Sequence, residues 1–499
     1  MQNTLRSFLK HEETIRRLVL LLLLYLLLAW QTLEPVLDPD IWWHLRTGQW
    51  IVEHGTVPIV DEFSSYGAGK PWIAYSWLFE VLVYGLYRAF GLLGIVLYTT
   101  VFGLLITAAL HRLVRRFELN FAAEIALTAV GLIAMAPLCS PRPWLFTILL
   151  FIVEVDWIFV ARRQGEVQRL YFLPLLFVLW ANVHIQFCYG LFVLGLTALE
   201  SLVEQFLPHF RANRPSLSFS SLALIITACV AATLVTPYHV HLYQTIIDFI
   251  PQTGQFLNNI MEMQALTFRG PWDWCVLMLT LGAAFSLGWT RELRPFPLLL
   301  LATGIYLSFR TRRDLWFVVV AAIPIIAAAY ATSPSLDRFT LTRRRIASCV
   351  GGLLIAFLIL GWRRDLSPSH LESVVAENYP TAAVAAVHEH GYPGPLYNDY
   401  GWGGFLIWSL RTPLVSMDNR GPLYGIERVE RSQKTWVGEE SWDTDPELTA
   451  ARLVIAAKKS ALASLLRLDP RFELVYEDKV AIVACFEGVA THGQQARQR

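Results

Sequence analysis

Charge is scarce in this 499-residue sequence: aspartate, glutamate, lysine and arginine make up only 16 % of it, where soluble domains carry about a quarter. Apolar residues fill 55 % of the chain, and the mean hydropathy is +0.44. That balance argues against an ordinary soluble globule and for a membrane protein. The 41 basic residues barely outnumber the 40 acidic ones, so net charge gives no argument for a nucleic-acid partner, and none is expected. Cysteine is sparse as well. Cys139, Cys188, Cys229, Cys275 and Cys349 lie in or beside apolar runs, and only Cys485 is in the polar C-terminal part. No Cys-x-x-Cys pair exists, so neither a disulfide framework nor a zinc site is indicated. Internal repeats and low-complexity linkers are also absent. The first apolar run, LVLLLLLYLLLAWQTL, lacks a small-residue cleavage site; Trp30, Gln31 and Glu34 follow it instead. It is expected to stay as a signal anchor.

Long apolar runs are what the sequence has in abundance. A helix crossing about 30 Å of hydrocarbon needs roughly 20 apolar residues. Eleven candidates, some of them short, are Leu18–Leu33, Leu92–Leu113, Phe121–Leu138, Trp144–Val160, Leu170–Ile185, Cys188–Leu207, Leu222–Thr236, Trp274–Thr290, Phe296–Phe309, Leu315–Ala331 and Ile346–Trp362. Every second connection is basic: Arg16/Arg17, Arg112/Arg115/Arg116, Arg162/Arg163, Arg211/Arg214, Arg291/Arg294 and Arg343/Arg344/Arg345. Lys and Arg collect in short cytoplasmic loops. The pattern therefore predicts a cytoplasmic N-terminus, and the odd number of crossings puts everything after Trp362 outside.

Two domains follow: a membrane domain, 1–362, with long outer segments at 34–91 and 237–271, and an extracytoplasmic domain, 363–499. In the first outer segment, IWWHLRTGQWIVEHG and WIAYSWLFEVLVYGLYRAF read as helices lying at the interface, with their tryptophans as an aromatic belt. The tail alternates strand-like runs (PLYND, PLVSMD, ARLVIAAK, FELVYED, VAIVACF) with helical ones (GGFLIWSL, SALASLLRL), which predicts a small α/β domain. The fold class is thus a mainly α-helical polytopic membrane protein with a C-terminal α/β domain. The last residues, HGQQARQR, look frayed.

Candidate chemistry gathers on the outer side. Asp38-Pro39-Asp40 offers two carboxylates, enough to hold a divalent cation through oxygen or to supply a general base; equally, Asp40 suits the N-cap of IWWHL. Arg310, Arg312 and Arg313, with Arg142 in SPRPW, violate the charge rule on the outer side. Guanidinium forks suit phosphate, so a lipid phosphate or pyrophosphate is a natural ligand; snorkelling, or pairing with Asp314, is the plainer account. Asn182, His184, His239 and His241 are polar residues at the same level, and Glu262 is an acidic candidate. Glu154 and Asp156 fall in the inner half of the fourth segment, near enough to Arg162 and Arg163 for salt bridges, and are read as structural.

An acidic pair after the first membrane helix, then an amphipathic segment ending in Gly55-x-x-Pro58, resembles the GT-C superfamily of membrane glycosyltransferases. DPDIWWHLRTGQWIVEHGTVPIVDEFS is similar to bacterial members related to protein O-mannosyltransferases and to lipopolysaccharide-core galacturonosyltransferases. The resemblance implies a GT-C-like fold and transfer of a sugar from a polyprenyl-phosphate donor to a lipid, glycan or protein acceptor. The site would be the outer face of a bacterial cytoplasmic membrane. It implies Asp40 as catalytic base with Asp38 beside it, and Mg²⁺ or Mn²⁺ on those two carboxylates as the one cofactor to consider. The second acid precedes the first here instead of following it, and WIAYSWLFE replaces the usual Pro-Pro-Leu. A fainter similarity links NDYGWGGFLIW, through Asp399, Tyr400 and Gly401, to the acceptor-binding Trp-Trp-Asp-Tyr-Gly element of oligosaccharyltransferases, though no peptide acceptor is inferred.

The expected reaction is an inverting transfer, with Asp40 as base, the four arginines on the donor phosphate, and His44, His184 and Glu262 contacting the acceptor or lining the site. A polysaccharide ligase or polymerase, or a non-catalytic transporter or scaffold for lipid-linked glycans, is the alternative.

Overall fold

A computed structural model describes residues 2–34, 37–207, 215–256, 260–291, 294–331 and 342–487. Arg211, Arg214 and the HGQQARQR terminus lie outside them. In chain order the helices are α1 (Gln2–Thr32), α2 (Ile41–His54), α3 (Trp77–Phe90), α4 (Leu92–Arg115), α5 (Phe121–Met135), α6 (Trp144–Gln164), α7 (Leu173–Val183), α8 (Phe187–Phe206), α9 (Phe219–Thr233), α10 (His241–Phe256), α11 (Pro271–Thr290), α12 (Pro295–Arg310), α13 (Leu315–Tyr330) and α14 (Arg343–Arg363). Each of the eleven apolar runs is therefore helical. Among the described residues, seven helices are long and apolar enough to cross a membrane, and three shorter apolar ones are Gln168–Val183, Phe219–Thr233 and Pro295–Arg310.

The chain divides into two compact units. One comprises Met1–Glu34, Val96–Val240 and Ile260–Asp365; the other comprises Pro35–Ile95, His241–Asn259 and Leu366–Arg499. The first loop thus groups with the C-terminal segment. By sequence alone it had been assigned to the membrane domain.

In the helical unit, α13 is the axis: Leu315 to Ile323 are all buried, and α5, α6, α11 and α12 pack on it. Small residues make that packing tight; a methyl added at Gly131 of α5 would sit 2.5 Å from the Ile323 side chain. Ion pairs tie the predicted inner ends, although with partners other than those expected. Asp156 takes Arg116 at 3.0 Å and Arg112 at 3.6 Å. Arg162 makes two 2.7 Å bonds to Glu200, which also holds Arg294. Glu154 is fully buried, with neither carboxyl oxygen hydrogen-bonded among the described residues. The expected pairing of both acids with Arg162 and Arg163 fails because the helix turns those guanidiniums elsewhere. Helix α14 packs on α1, where Arg364 bonds Glu34 at 3.1 Å and lies 4.2 Å from the Trp30 ring.

The second unit holds a four-stranded sheet: β1 (Leu396–Asn398), β2 (Leu453–Ala457), β3 (Phe472–Glu477) and β4 (Ala481–Phe486), in the order β1-β2-β4-β3. β1 runs parallel to β2, and the other pairs are antiparallel. PLVSMD, expected to be a strand of this sheet, leaves it and bridges to the first loop through Val415 and Ser64. Helices α15 (Pro368–Asn378), α16 (Thr381–His390), α17 (Gly403–Ser409), α18 (Gly421–Tyr424), α19 (Ile426–Val437), α20 (Pro446–Ala450) and α21 (Ala461–Leu466) complete the unit.

Buried Arg420 joins the loop to this tail. Its guanidinium contacts Asp61 at 2.7 Å and Asp418 at 2.6 Å. Tyr424 bonds Asp418 at 2.8 Å and Ser64 at 3.0 Å. The rings of Trp72, Phe63 and Trp43 surround the cation at 4.6, 5.5 and 6.0 Å. Burial opposes the charge, yet Asp418, Tyr424 and Asp61 outweigh it and raise the Arg420 pKa above the ordinary arginine range.

Removing one partner of a buried ion pair strands the other, at about 3–5 kcal/mol. Arg420→Met should therefore lower the melting temperature of the purified protein sharply. Arg420→Lys should recover little, because an ammonium cannot fork between two carboxylates. Wild-type melting in either variant would refute this assignment.

Candidate active site

The acidic turn belongs to the second unit. Asp38 Oδ1 accepts the Asp40 N–H at 2.9 Å, the side-chain-to-backbone turn that aspartate favours. Asp40 occupies the N-cap position of α2, its carbonyl accepting the His44 N–H at 3.2 Å, but its carboxylate makes no capping bond. Asp38 and Asp40 are partly exposed as residues, with the Asp40 Oδ1 atom itself buried, whereas Ile41 to Leu45 directly after them are buried throughout. The turn is thus the wet rim of a dry helix. Trp42, Trp43 and Trp50 are buried in this unit, so these three serve as core and do not form the expected belt.

His44, a candidate for lining the site, is 2 % exposed and bonds Glu80 of α3 through Nδ1 at 3.1 Å. Burial, helped by the Arg420 charge, holds His44 well below its usual range. Burial also pushes Glu80 well above the carboxylate range, although Arg420 pulls the other way. Burial thus favours the uncharged form of both groups. The helices meet so closely here that a Cβ on Gly48 would lie 2.1 Å from the Glu80 carbonyl oxygen. His44 pins α2 to α3 beneath the turn.

The candidate phosphate ligands belong to the helical unit. Arg142 and Arg313 flank one indole, lying 5.2 and 5.9 Å from the Trp144 centroid. Glu262 is 3.9 Å from Arg142. A backbone bond of 2.9 Å from the Arg312 N–H to the Gln264 carbonyl ties the Met261–Met263 turn to the Arg312–Asp314 turn. The loop is held from below by Asp314, which accepts from Gln186, Thr311 and Tyr189 at 2.9, 3.0 and 3.1 Å. Arg310 departs from the group, turning back along α12 to the exposed Tyr306. His184 is buried, bonded through Nδ1 to Thr147 at 2.8 Å. Asn182 bonds backbone carbonyls of Val178 and Val235. Arg142, Arg313 and Glu262 therefore gather around Trp144, whereas Arg310 turns away to Tyr306.

No group of three or more His, Cys, Asp or Glu suited to a metal occurs among the described residues. Asp38 and Asp40 supply two carboxylates, one oxygen already holding the turn. They suit Mg²⁺ or Mn²⁺ only if water and substrate phosphate complete the shell.

Arg420, Asp61, Asp418, Tyr424 and Glu80 were not singled out from the sequence. Asp418-x-Arg420 has the spacing of a local ion pair, but nothing signals a partner 359 residues earlier.

No family model matches the sequence, and no curated protein matches it. Among solved structures, an oligosaccharyltransferase of Archaeoglobus fulgidus in its apo form aligns with 90 % of this chain and 70 % of its own. The identity is 12 % and the TM-score 0.53. ArnT from Cupriavidus metallidurans, bound to undecaprenyl phosphate and apo, aligns over 95 % of this chain and 98 % of that one. The identity is 15 %, with TM-scores of 0.46 and 0.47. At these identities the likeness is one of fold, and the oligosaccharyltransferase match carries it.

The buried Glu80 gives a pH signature. Its raised pKa means that the unfolded chain ionises first as pH rises, so this group's contribution is intact below the ordinary carboxylate pKa and lost above it. Glu80→Gln cannot ionise. Its melting temperature relative to wild type should climb from about pH 5 to about pH 8. Parallel curves would contradict the assignment.

Proposed function

We propose that this membrane protein of the GT-C fold is a glycosyltransferase that moves one sugar from a polyprenyl-phosphate carrier to a hydroxyl acceptor. The observation that carries the reading is the Asp38–Asp40 turn. It sets a partly exposed aspartate, its carboxylate not used for capping, at the start of a buried helix. The sequence resemblance assigns the base to this position. The Arg142–Trp144–Arg313 group supports an anionic donor, since guanidinium is weakly hydrated and pairs readily with phosphate oxygens.

Asp40 takes the proton of the acceptor hydroxyl as its oxygen bonds to the anomeric carbon. The bond from that carbon to the phosphate oxygen breaks in the same displacement, with inversion. The lipid phosphate departs with its electron pair, a growing charge of the kind that guanidinium groups such as Arg142 and Arg313 stabilise. Glu262 balances Arg142 before the donor arrives. Arg312 lies in the same turn as Arg313 and is assigned a secondary role in holding the carrier, whereas Arg310 turns away along α12. A divalent cation on Asp38 and Asp40 would add Lewis-acid stabilisation of the phosphate. The alternating basic loops support a cytoplasmic N-terminus and chemistry at the outer face of a bacterial cytoplasmic membrane.

Cells lacking the protein should accumulate a lipid-linked sugar detectable by mass spectrometry, and the wild-type gene should clear it. Asp40→Asn should clear it about 10²–10⁴-fold more slowly, the usual contribution of a general base. Clearance by Asp40→Asn at the wild-type rate would remove the base assignment. With the accumulated lipid as donor, Arg313→Ala should lower turnover about 10²-fold, in the range of a lost charge-stabilising donor. An unaltered rate would count against the phosphate clamp.

A further inference from the structure

We infer that the C-terminal domain positions the catalytic turn, with Gly404 and Tyr379 as the positioning residues. The inference rests on the glycosyltransferase reading and assigns the C-terminal domain a part in it. Contacts from the C-terminal domain converge on the residues around Asp38 and Asp40. The Tyr379 hydroxyl donates to the Leu37 carbonyl at 3.0 Å, immediately before the turn. Gly404, the second residue of α17, lies so close that a Cβ there would be 2.6 Å from the Pro39 carbonyl oxygen and 3.4 Å from Trp43 Cδ1. After the turn, Trp42 meets Phe405 and Tyr379 edge to face, at centroid separations of 5.2 and 5.5 Å. Trp43 borders the Arg420 cation.

The neighbouring Gly403 explains how α17 reaches the turn. A Cβ there would lie 2.2 Å from the Met417 carbonyl oxygen and 2.4 Å from Asp418 Cα. The glycine pair is therefore a spacer without side chains, pressed between the Met417–Asp418 backbone on one side and Pro39 on the other. Asp418 is fixed by Arg420. The chain of contacts runs from Arg420 through Asp418 and Gly403 to Gly404, and from there to the backbone between the two carboxylates. A methyl at residue 404 must push Pro39 or Trp43 aside, because the atoms it meets are backbone and a packed ring.

The test uses the full-length protein with Gly404→Ala and the milder Tyr379→Phe, which deletes one hydroxyl. Hydrogen exchange by mass spectrometry reports amides 38–44, with the β2 and β4 amides as the control for folding. Turnover is measured with the lipid-linked sugar isolated from cells lacking the protein. Both variants should exchange faster at 38–44 and at the control rate elsewhere. The kcat of Gly404→Ala should fall about 10²-fold, the scale of an ångström of misplacement, with KM for the donor unchanged; Tyr379→Phe should show a smaller fall of the same kind. Unchanged exchange at 38–44 in both variants overturns the inference. So does full turnover alongside faster exchange, provided Asp40→Asn is inactive. If Asp40→Asn is active, faster exchange still upholds the positioning contact and the base assignment alone falls.

Discussion

One buried cation organises the unit on which the functional reading depends. Arg420 lies among three aromatic rings and two carboxylates, one from its own segment and one from the first loop. A charge in such surroundings is tolerated only with near-complete pairing, which makes the arrangement close to all-or-none. With both acids present, the loop and the tail share one hydrophobic core. Without either acid, the cost of the stranded charge falls on the same core. Ser64, Tyr424 and the Ser64–Val415 bridge extend the junction by ordinary hydrogen bonds.

This constraint changes how the first loop is understood. Its tryptophans suggested a segment lying in the membrane interface, but Trp42, Trp43 and Trp50 are core residues facing the C-terminal domain's side chains and the α2–α3 contact. The apolar residues therefore hold a folded body together, with the partly exposed Asp38–Asp40 turn at the start of α2. The helical unit follows the same economy. Its buried acids are mostly paired with arginine at the predicted inner ends, while Arg142 and Arg313 share the Trp144 ring, with Glu262 beside Arg142.

The membrane architecture was legible because its signals are local and repeated. Eleven apolar runs became helices, since the length and hydropathy of a run decide the matter without knowledge of its neighbours. The strands Leu396–Asn398, Leu453–Ala457, Phe472–Glu477 and Ala481–Phe486 were legible for the same reason. The Asp38–Asp40 turn and the Arg142 exception were visible as short patterns out of place. What could not be read was pairing at long range. PLVSMD has the alternation of a sheet strand, and only the tertiary fold decides that Val415 bridges Ser64 instead. His44 looked like a polar residue near a site, yet its burial comes from Glu80 on another helix. Arg310, Arg312 and Arg313 looked equivalent; the helix end separates them, sending Arg310 to Tyr306 and Arg313 to Trp144.

If the first loop and the C-terminal domain act as one body, locking them together should cost nothing. Ser65 and Val415 are joined by a backbone bond of 2.8 Å, which makes these two positions the pair to replace with cysteines and oxidise. Sugar transfer by the oxidised protein should equal that of the reduced protein. Loss of transfer on oxidation, restored by reductant, would mean that the loop must leave the domain during turnover, and would contradict the account.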